Sequence, residues 1–467
     1  MSAGARRRVL KGFGGAPGSA STVLRPVDLD DLRRAVAGPG PLLARGLGRA
    51  YGDAALCAGG TVVDCTAIDH LEIDESAGTA RAGGGTSLAR LLEAALARGM
   101  FLPVLPGTAH VSLGGAIAAD VHGKNHHRDG AFGSHVERLT LVTSEGTREL
   151  GPGNEPELFW ATVGGMGLTG VIAEATIRLR RVETSRMRVD TERVGDLDAC
   201  MERLRAGEGR YRYSVAWLDT LARGARLGRA VVDGGDHASL SDLSPKQRLE
   251  PLALRRPARL GVPVSSPVRL PSRPLIEAAN AAWYRRAPAR REGAIRSIPA
   301  FFHPLDALPG WNRLFGPLGF TQYQLAVPFS ASDVVRLALE TLQRAGAWST
   351  LAVLKSFGPG DEAPLSFPIA GWTLALDLPL GVPGLPEVLD RLDEAVAEAG
   401  GRVYLAKDGR LRPELFPVMY PRLGEWLAAR RRLDRGGVFA SDLWRRLDPG
   451  LGKGNLSPLN LSPLMEA

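Results

Sequence analysis

Apolar positions repeat in two rhythms along the chain. Between Ser87 and Arg98, the residues Leu88, Leu91, Leu92, Ala95 and Leu96 fall at i, i+3, i+4, i+7 and i+8, one face of a helix. Thr86 or Ser87 caps it and Gly99 stops it. The acidic start of 28–37 predicts a second helix. Short β-branched and apolar runs predict strands at 41–45, 61–66 and 171–179. Residues 22–180 therefore read as alternating short strands and helices.

Further along, 322–328, 332–345 and 350–356 read as strand, helix, strand, and 373–378, 386–399 and 402–406 repeat that order. Two such units predict a sheet with its helices on one face. Before them, residues 251–297 carry ten arginines and frequent prolines, with only Glu277 and Glu292 in opposition. This composition predicts a long, irregular, partly mobile surface segment. Its functional reading is a basic lid that meets anionic lipid or a substrate phosphate.

With 467 residues, 44% hydrophobic and 23% charged, the chain can bury the cores of two or more domains and is not of disordered composition. No run of about 18 apolar residues is present, so no membrane-spanning helix is expected. The first fifteen residues lack the apolar stretch of a secretory signal. Three cysteines, Cys57, Cys65 and Cys200, make neither a disulfide framework nor a zinc spacing, and a reducing cytoplasm is expected. Nucleic-acid binding would need the net charge of +8 concentrated on one element with base-stacking aromatics; aromatics are 6% and no nucleic-acid motif is present, so nucleic acid is not an expected partner.

Three glycine-rich stretches carry the candidate chemistry. The first, 44–53 (ARGLGRAYGD), follows a predicted strand and brings backbone N–H groups close to where a phosphate could sit. The second runs from Pro106-Gly107-Thr108 through Ser112–Ala119 to His122–His127, with small residues first and polar ones after. Small residues make room for a large flat ligand. In the third, Gly165, Gly167 and Gly170 satisfy G-x-G-x-x-G. It lies between a helix-like stretch and a strand, the wrong context for a dinucleotide turn. Four of the eight histidines lie within 122–135, but no matching Cys or carboxylate cluster accompanies them and no metal is expected. Only six of the 58 basic residues are lysine. Lys124 sits in the histidine cluster, while Lys355 and Lys407 end predicted strands, where a compact, tunable ammonium differs from a guanidinium.

At ARGLGRAYGD (44–53), PVLPGT (103–108), HGKNHH (122–127), ELFWATVGG (157–165), LTGVI (168–172), FHPLD (302–306), APLSFPIAGW (363–372), YLAKD (404–408) and VFASD (438–442) the chain resembles FAD-dependent oxidoreductases of the vanillyl-alcohol-oxidase type. Within them it is similar to the branch that oxidises lipid-linked ribose. The resemblance implies an α+β fold: a PCMH-type FAD-binding domain over 12–182 and a substrate domain over 183–403 built on an antiparallel sheet covered by helices. Residues 404–447 would return to the FAD domain. FAD would be held by Arg45, Gly46, Leu47, Gly48, Arg49, Ala50, Tyr51, Gly52 and Asp53, and by Gly107, Ser112, Leu113, Gly114, Gly115 and Ala119. His122, Gly123, Asn125, Ile172 and Tyr404 would complete its site. Lys407, His122 and Tyr51 would be catalytic, and Gln322, Gln324, Lys355, Thr373 and Ala375 would face the substrate.

The implied reaction is oxidation of a secondary sugar hydroxyl, the 2′-hydroxyl of a polyprenylphosphoryl-ribose in arabinose-donor epimerisation. An alditol or aldonolactone oxidase, or a pathway-specific sugar oxidase, is the alternative on the same fold. Arg49 stands where covalently flavinylated relatives place a histidine, so FAD is expected to be non-covalent. Ala375 and Thr373 replace a cysteine and an asparagine. The implied partners are a lipid-linked or phosphorylated sugar, a separate NAD(P)H-dependent short-chain reductase and an anionic membrane touched peripherally, from the cytoplasmic side.

Overall fold

A computed structural model describes residues 5–254 and 261–448. The helix at Leu88–Leu96 shows how local pattern becomes structure. The Ser87 side chain accepts from Arg90 N, and the five predicted face residues are buried. Gly99, at φ +65°, turns the chain out of the helix in the left-handed region that glycine enters freely. The acidic-start helix forms at Leu29–Val36, capped by Asp28.

Two sheets make the N-terminal part. A four-stranded sheet runs Arg6–Lys11, Gly18–Leu24, Thr61–Asp64, Leu42–Arg45, its last two pairings parallel. The two strands before residue 25 are not visible in the sequence pattern. An antiparallel five-stranded sheet runs Leu71–Asp74, Thr79–Gly83, Val171–Arg178, Val136–Thr143, Gly146–Leu150. The G-x-G-x-x-G stretch lies between the helix Pro156–Thr162 and the strand Val171–Arg178, which is not the strand–loop–helix order of a dinucleotide fold.

An eight-stranded sheet dominates the rest. Its order is Arg290–Ser297, Arg186–Val194, Ala230–His237, Tyr213–Leu218, Ala352–Phe357, Gly371–Pro379, Phe320–Pro328, Arg402–Val403. Every pairing is antiparallel. The two strand–helix–strand units interleave, with Gly371–Pro379 inserted between the two strands of the first unit. Alternation along Phe320–Pro328 sends Tyr323 one way and Gln322 and Gln324 the other. The Tyr323 hydroxyl donates to Asp393 on the helix Leu385–Glu398 at 2.9 Å. The two glutamines face the N-terminal part. The strand expected over 402–406 ends at Val403, because Tyr404 opens a turn in which Lys407 N donates to the Tyr404 carbonyl.

The arginine-rich segment corrects an expectation. It is not irregular throughout: Arg273–Arg286 is a helix and Arg290–Ser297 is the edge strand of the large sheet. The helix sequence is rich in alanine with Pro274 in its first turn, both good helix formers in those places. Asn280 donates to buried Asp219 at 3.0 Å and fixes the helix to the sheet. Backbone bonds from Val262, Ser266 and Leu270 to Pro309, Arg313 and Leu314 hold the preceding stretch against 309–314. Residues 255–260 of the segment lie outside the described residues.

The C-terminal stretch packs on the N-terminal part. Leu42 N donates to Val438 O and Ala440 N to Leu42 O, and the Trp426 indole donates to Ala161 O at 3.0 Å. Arg446 grips Asp53 in the first glycine-rich loop and Asp408 beside Lys407.

Candidate active site

A cleft of about 930 Å³ runs between the N-terminal loops and the large sheet, near the upper end of the roughly 300–1,000 Å³ usual for ligand sites. One end is lined by glycine-rich loops. Among the described residues the backbone N–H groups of Leu47, Gly48, Arg49 and Ala50 have no protein acceptor, and all four residues line the cleft. Consecutive free donors in a loop form a concavity that binds anions. A Cβ on Gly46 would lie 1.9 Å from Ser112 Oγ, so this loop is seated directly on the second one. Gly107 and Gly167 face open space in the cleft. Arg49 donates to His110 O at 2.9 Å, with its guanidinium over the Phe13 ring.

Of the residues expected at the cofactor, Arg45–Tyr51, Gly107, Ser112, Gly114, Gly115, Ala119, His122, Gly123, Ile172 and Tyr404 line this cleft. Four do not, which corrects the expectation for them. Gly52 abuts the Asp408 carbonyl, where a Cβ would come within 1.7 Å. Asp53 pairs with Arg446, Leu113 is fully buried in the core, and Asn125 donates to Pro103 O and Asp129 Oδ2. They hold the loops from behind.

The other end is a patch of the large sheet. Gln322 pairs in register with Asp377, Gln324 with Ala375, and Lys355 with Thr373. Because side chains alternate, Thr373, Ala375 and Asp377 share one face. Ala375, Asp377, Gln322, Gln324 and Lys355 line the cleft. Thr373 lies beneath it and accepts from Gln324 at 3.2 Å. The Gln324 amide also donates to His122 Nε2 at 2.9 Å, which places the imidazole proton on Nδ1. The His122 ring contacts Phe357, Phe367 and Tyr404, and burial, then Lys355 and its other cationic neighbours, hold its pKa well below the usual value. His126 lies tilted against the same Phe357 ring, whereas His127 turns away to meet the Tyr211 carbonyl at 3.0 Å.

Three lysines meet in the cleft wall: Lys124, Lys355 and Lys407. Lys407 Nζ lies 3.9 Å above the Tyr51 ring, which is held edge-on by Phe13 and Phe320. Burial pushes the Lys407 ammonium down to about 8, opposed by Asp377. Burial lowers Lys124 to about 8 as well. Lys355 is lowered to about 7 by burial and then by the charges of Lys124 and Lys407. Tyr51, fully desolvated, is held a neutral phenol. Asp377 was not among the expected site residues. Its spacing of two from Ala375 and four from Thr373 was the available signal.

A glycine-rich anion cradle faces a patch of amides, a neutral imidazole and tunable amines, and together with the family match that covers these loops it makes the chain an FAD-dependent oxidoreductase with a PCMH-type FAD-binding domain. The model of the FAD binding domain matches residues 20–151. More particularly, the chain is 42% identical over 447 residues to the decaprenylphosphoryl-β-D-ribose oxidase of Mycolicibacterium smegmatis, covering 94% of this chain and 97% of that one, and it belongs to that enzyme's family. An uncharacterised protein of Streptomyces coelicolor is 42% identical over 370 residues, 77% of this chain and 99% of its own. A Streptomyces alditol oxidase is 31% identical over 109 residues, 23% of this chain and 26% of its own.

Among the described residues no helix is long and apolar enough to cross a membrane.

Proposed function

We propose that the enzyme oxidises a secondary hydroxyl of an anionic, lipid-linked sugar to the ketone, namely the 2′-hydroxyl of a polyprenylphosphoryl-ribose, with FAD bound non-covalently. The observation that carries this reading is Lys355. It is half-buried beside the amines of Lys124 and Lys407 and the neutral imidazoles of His122 and His126, and among the described residues it pairs with no carboxylate. An ammonium in a cleft wall beside two other amines calls for an anion from the ligand. A neutral alditol would leave it uncompensated.

In this reading the FAD supplies the acceptor for the hydride leaving the carbinol carbon. Gln322 and Gln324 orient the sugar, Lys355 holds the phosphate, and Lys407 takes the hydroxyl proton. The keto product then passes to a separate NAD(P)H-dependent short-chain reductase. The lipid leaves past Trp217, Trp283 and Leu308–Trp311, which line the cleft. Exposed Val264, Val268, Leu270, Leu275 and Trp283, beside Arg269, Arg273, Arg285 and Arg286, suit an anionic bilayer at that mouth.

The test is anaerobic mixing of the FAD-loaded enzyme with farnesylphosphoryl-ribose, free ribose or xylitol, following loss of flavin absorbance. Rapid bleaching by the phosphoryl sugar alone is expected, and Lys355→Met weakens its apparent affinity about 10- to 100-fold. Equal bleaching by xylitol would establish the neutral-polyol reading instead.

A further inference from the structure

The eight-stranded sheet carries a buried carboxylate that none of the roles above uses. Asp377 is 1% exposed, yet it lines the substrate end of the cleft. Gln322 Nε2 donates to its Oδ1 at 2.5 Å and fixes the carboxylate plane. Its Oδ2 is buried without a partner. A carboxylate oxygen in that state is costly unless a cation answers it. Of the three lysines in the cleft wall, the one whose charge Asp377 favours is Lys407, whose Nζ rests on Tyr51.

We propose that Asp377 is the positioning counter-ion of Lys407, compensating the ammonium that forms when Lys407 takes the proton of the substrate hydroxyl. The O–H bond of the alcohol breaks and an N–H bond forms at Lys407 Nζ. The carbinol hydrogen leaves with its electron pair to the flavin, and the carbonyl forms. Asp377 neither gains nor loses a proton. Its negative charge offsets, across the same cleft wall, the positive charge created at Lys407.

The groups facing Asp377 are few. Gln322 comes from the neighbouring strand, Lys407 from the turn after Tyr404, and Tyr51 from the glycine-rich loop, with its phenol neutral. Lys355 is on the strand of the other flank, paired with Thr373 four residues before Asp377. Thr350, at the start of that flank, bonds only the Asp377 backbone. Burial raises the Asp377 carboxyl to about 6, with Gln322 and Lys407 pulling it down, so it is ionised at neutral pH. A structural role alone would be met by any group that accepts from Gln322. The side-chain oxygen of an asparagine does this, which makes Asp377→Asn a test of the charge.

The kinetic arm rests on the proposed alcohol oxidation. With farnesylphosphoryl-ribose, flavin reduction in the FAD-loaded enzyme rises with pH through about 8 as Lys407 becomes neutral. In Asp377→Asn the limiting rate falls about a hundredfold. The rising limb also moves to lower pH, because the lysine loses the charge that favoured its ammonium. Asp377→Glu restores the position of the limb.

The second arm needs no substrate. Competitive acetylation of the holoenzyme with mass spectrometry reads the neutral fraction of each of the six lysines. At neutral pH, Lys407 in Asp377→Asn should react about three- to tenfold faster than in the parent, with Lys11 and Lys246 as unchanged references. If neither the limb nor the Lys407 reactivity moves, Asp377 is not its counter-ion. If the parent fails to bleach but the Lys407 reactivity shifts, the substrate reading falls and the counter-ion stands.

Discussion

Replacing Arg446 with methionine keeps the aliphatic stem and removes a guanidinium that ties three parts of the chain together. Arg446 lies on the last helix, Asp442–Leu447, and holds Asp53 through two bonds of 2.8 and 2.9 Å. It also holds Asp408 Oδ2 at 2.7 Å and the Leu411 carbonyl at 2.7 Å. Asp53 and Asp408 are 6% and 8% exposed, so the variant buries two carboxylates with no cation between them. Breaking a buried pair from one side costs about 3–5 kcal/mol. At about 2 °C per kcal/mol, the low end for large domains, Tm falls by roughly 6–10 °C.

The pH dependence has a definite sign. Burial already raises the Asp53 carboxyl against the pull of Arg446. Without that pull its folded-state pKa rises further above the unfolded value. The folded variant then binds more protons than the unfolded chain between those two values, and its stability falls as pH rises through them. The Tm deficit is therefore larger at about pH 8 than at about pH 5. Differential scanning fluorimetry at one fixed scan rate measures both, and the flavin's own fluorescence reports release of the cofactor as the 46–53 loop loosens. A deficit below about 3 °C, or one equal at the two pH values, would refute the clamp.

Three further outcomes follow from the same geometry. Gly46→Ala places a Cβ 1.9 Å from Ser112 Oγ and separates the two cradle loops, so the variant should purify without flavin colour; full flavin stoichiometry would contradict the seating of the loops. After acid precipitation the yellow colour should move to the supernatant, since Arg49 cannot form the histidyl–flavin bond, and a yellow pellet would overturn non-covalent attachment. The protein should sediment with phosphatidylglycerol vesicles and be released by salt, and Leu270→Ser with Trp283→Ser, both exposed, should weaken this several-fold; binding unchanged by the pair would remove this face from the contact.

What the sequence disclosed follows from the range of the forces involved. The Leu88–Leu96 helix is legible because its cap, its apolar face and its glycine stop are all local. The first strand, Arg6–Lys11, opens with three arginines and is almost wholly exposed. Only its pairing with Gly18–Leu24 makes it a strand, and pairing leaves no local mark. The helix at Arg273–Arg286 was hidden by its setting: arginine and proline dominated a window in which a short alanine-rich run was enough to fold against Asp219 and Val194. Asp377 was missed for a third reason. In Gly371–Pro379 it reads as one polar residue in an apolar strand, and its role exists only through Gln322, 55 positions away. The resemblance to known flavoenzymes brought Lys355 and Lys407 together before any geometry did.

The use of lysine explains why those two positions carry so much of the argument. In a chain with only six lysines among 58 basic residues, the surface ion pairs among the described residues are made almost entirely by arginine. Half of its lysines nonetheless line one cleft. Arginine cannot lose its proton at any physiological pH, so a guanidinium in that wall would be a permanent charge. A buried amine can exist in either form, and its balance is set by its neighbours. Lys355, beside Lys124 and Lys407, is lowered most, to about 7. Lys407, facing Asp377, stays nearer 8. In the proposed reading the same residue type serves as an anion sensor at one position and a proton acceptor at the other, and the difference lies in where the sheet register places a single carboxylate.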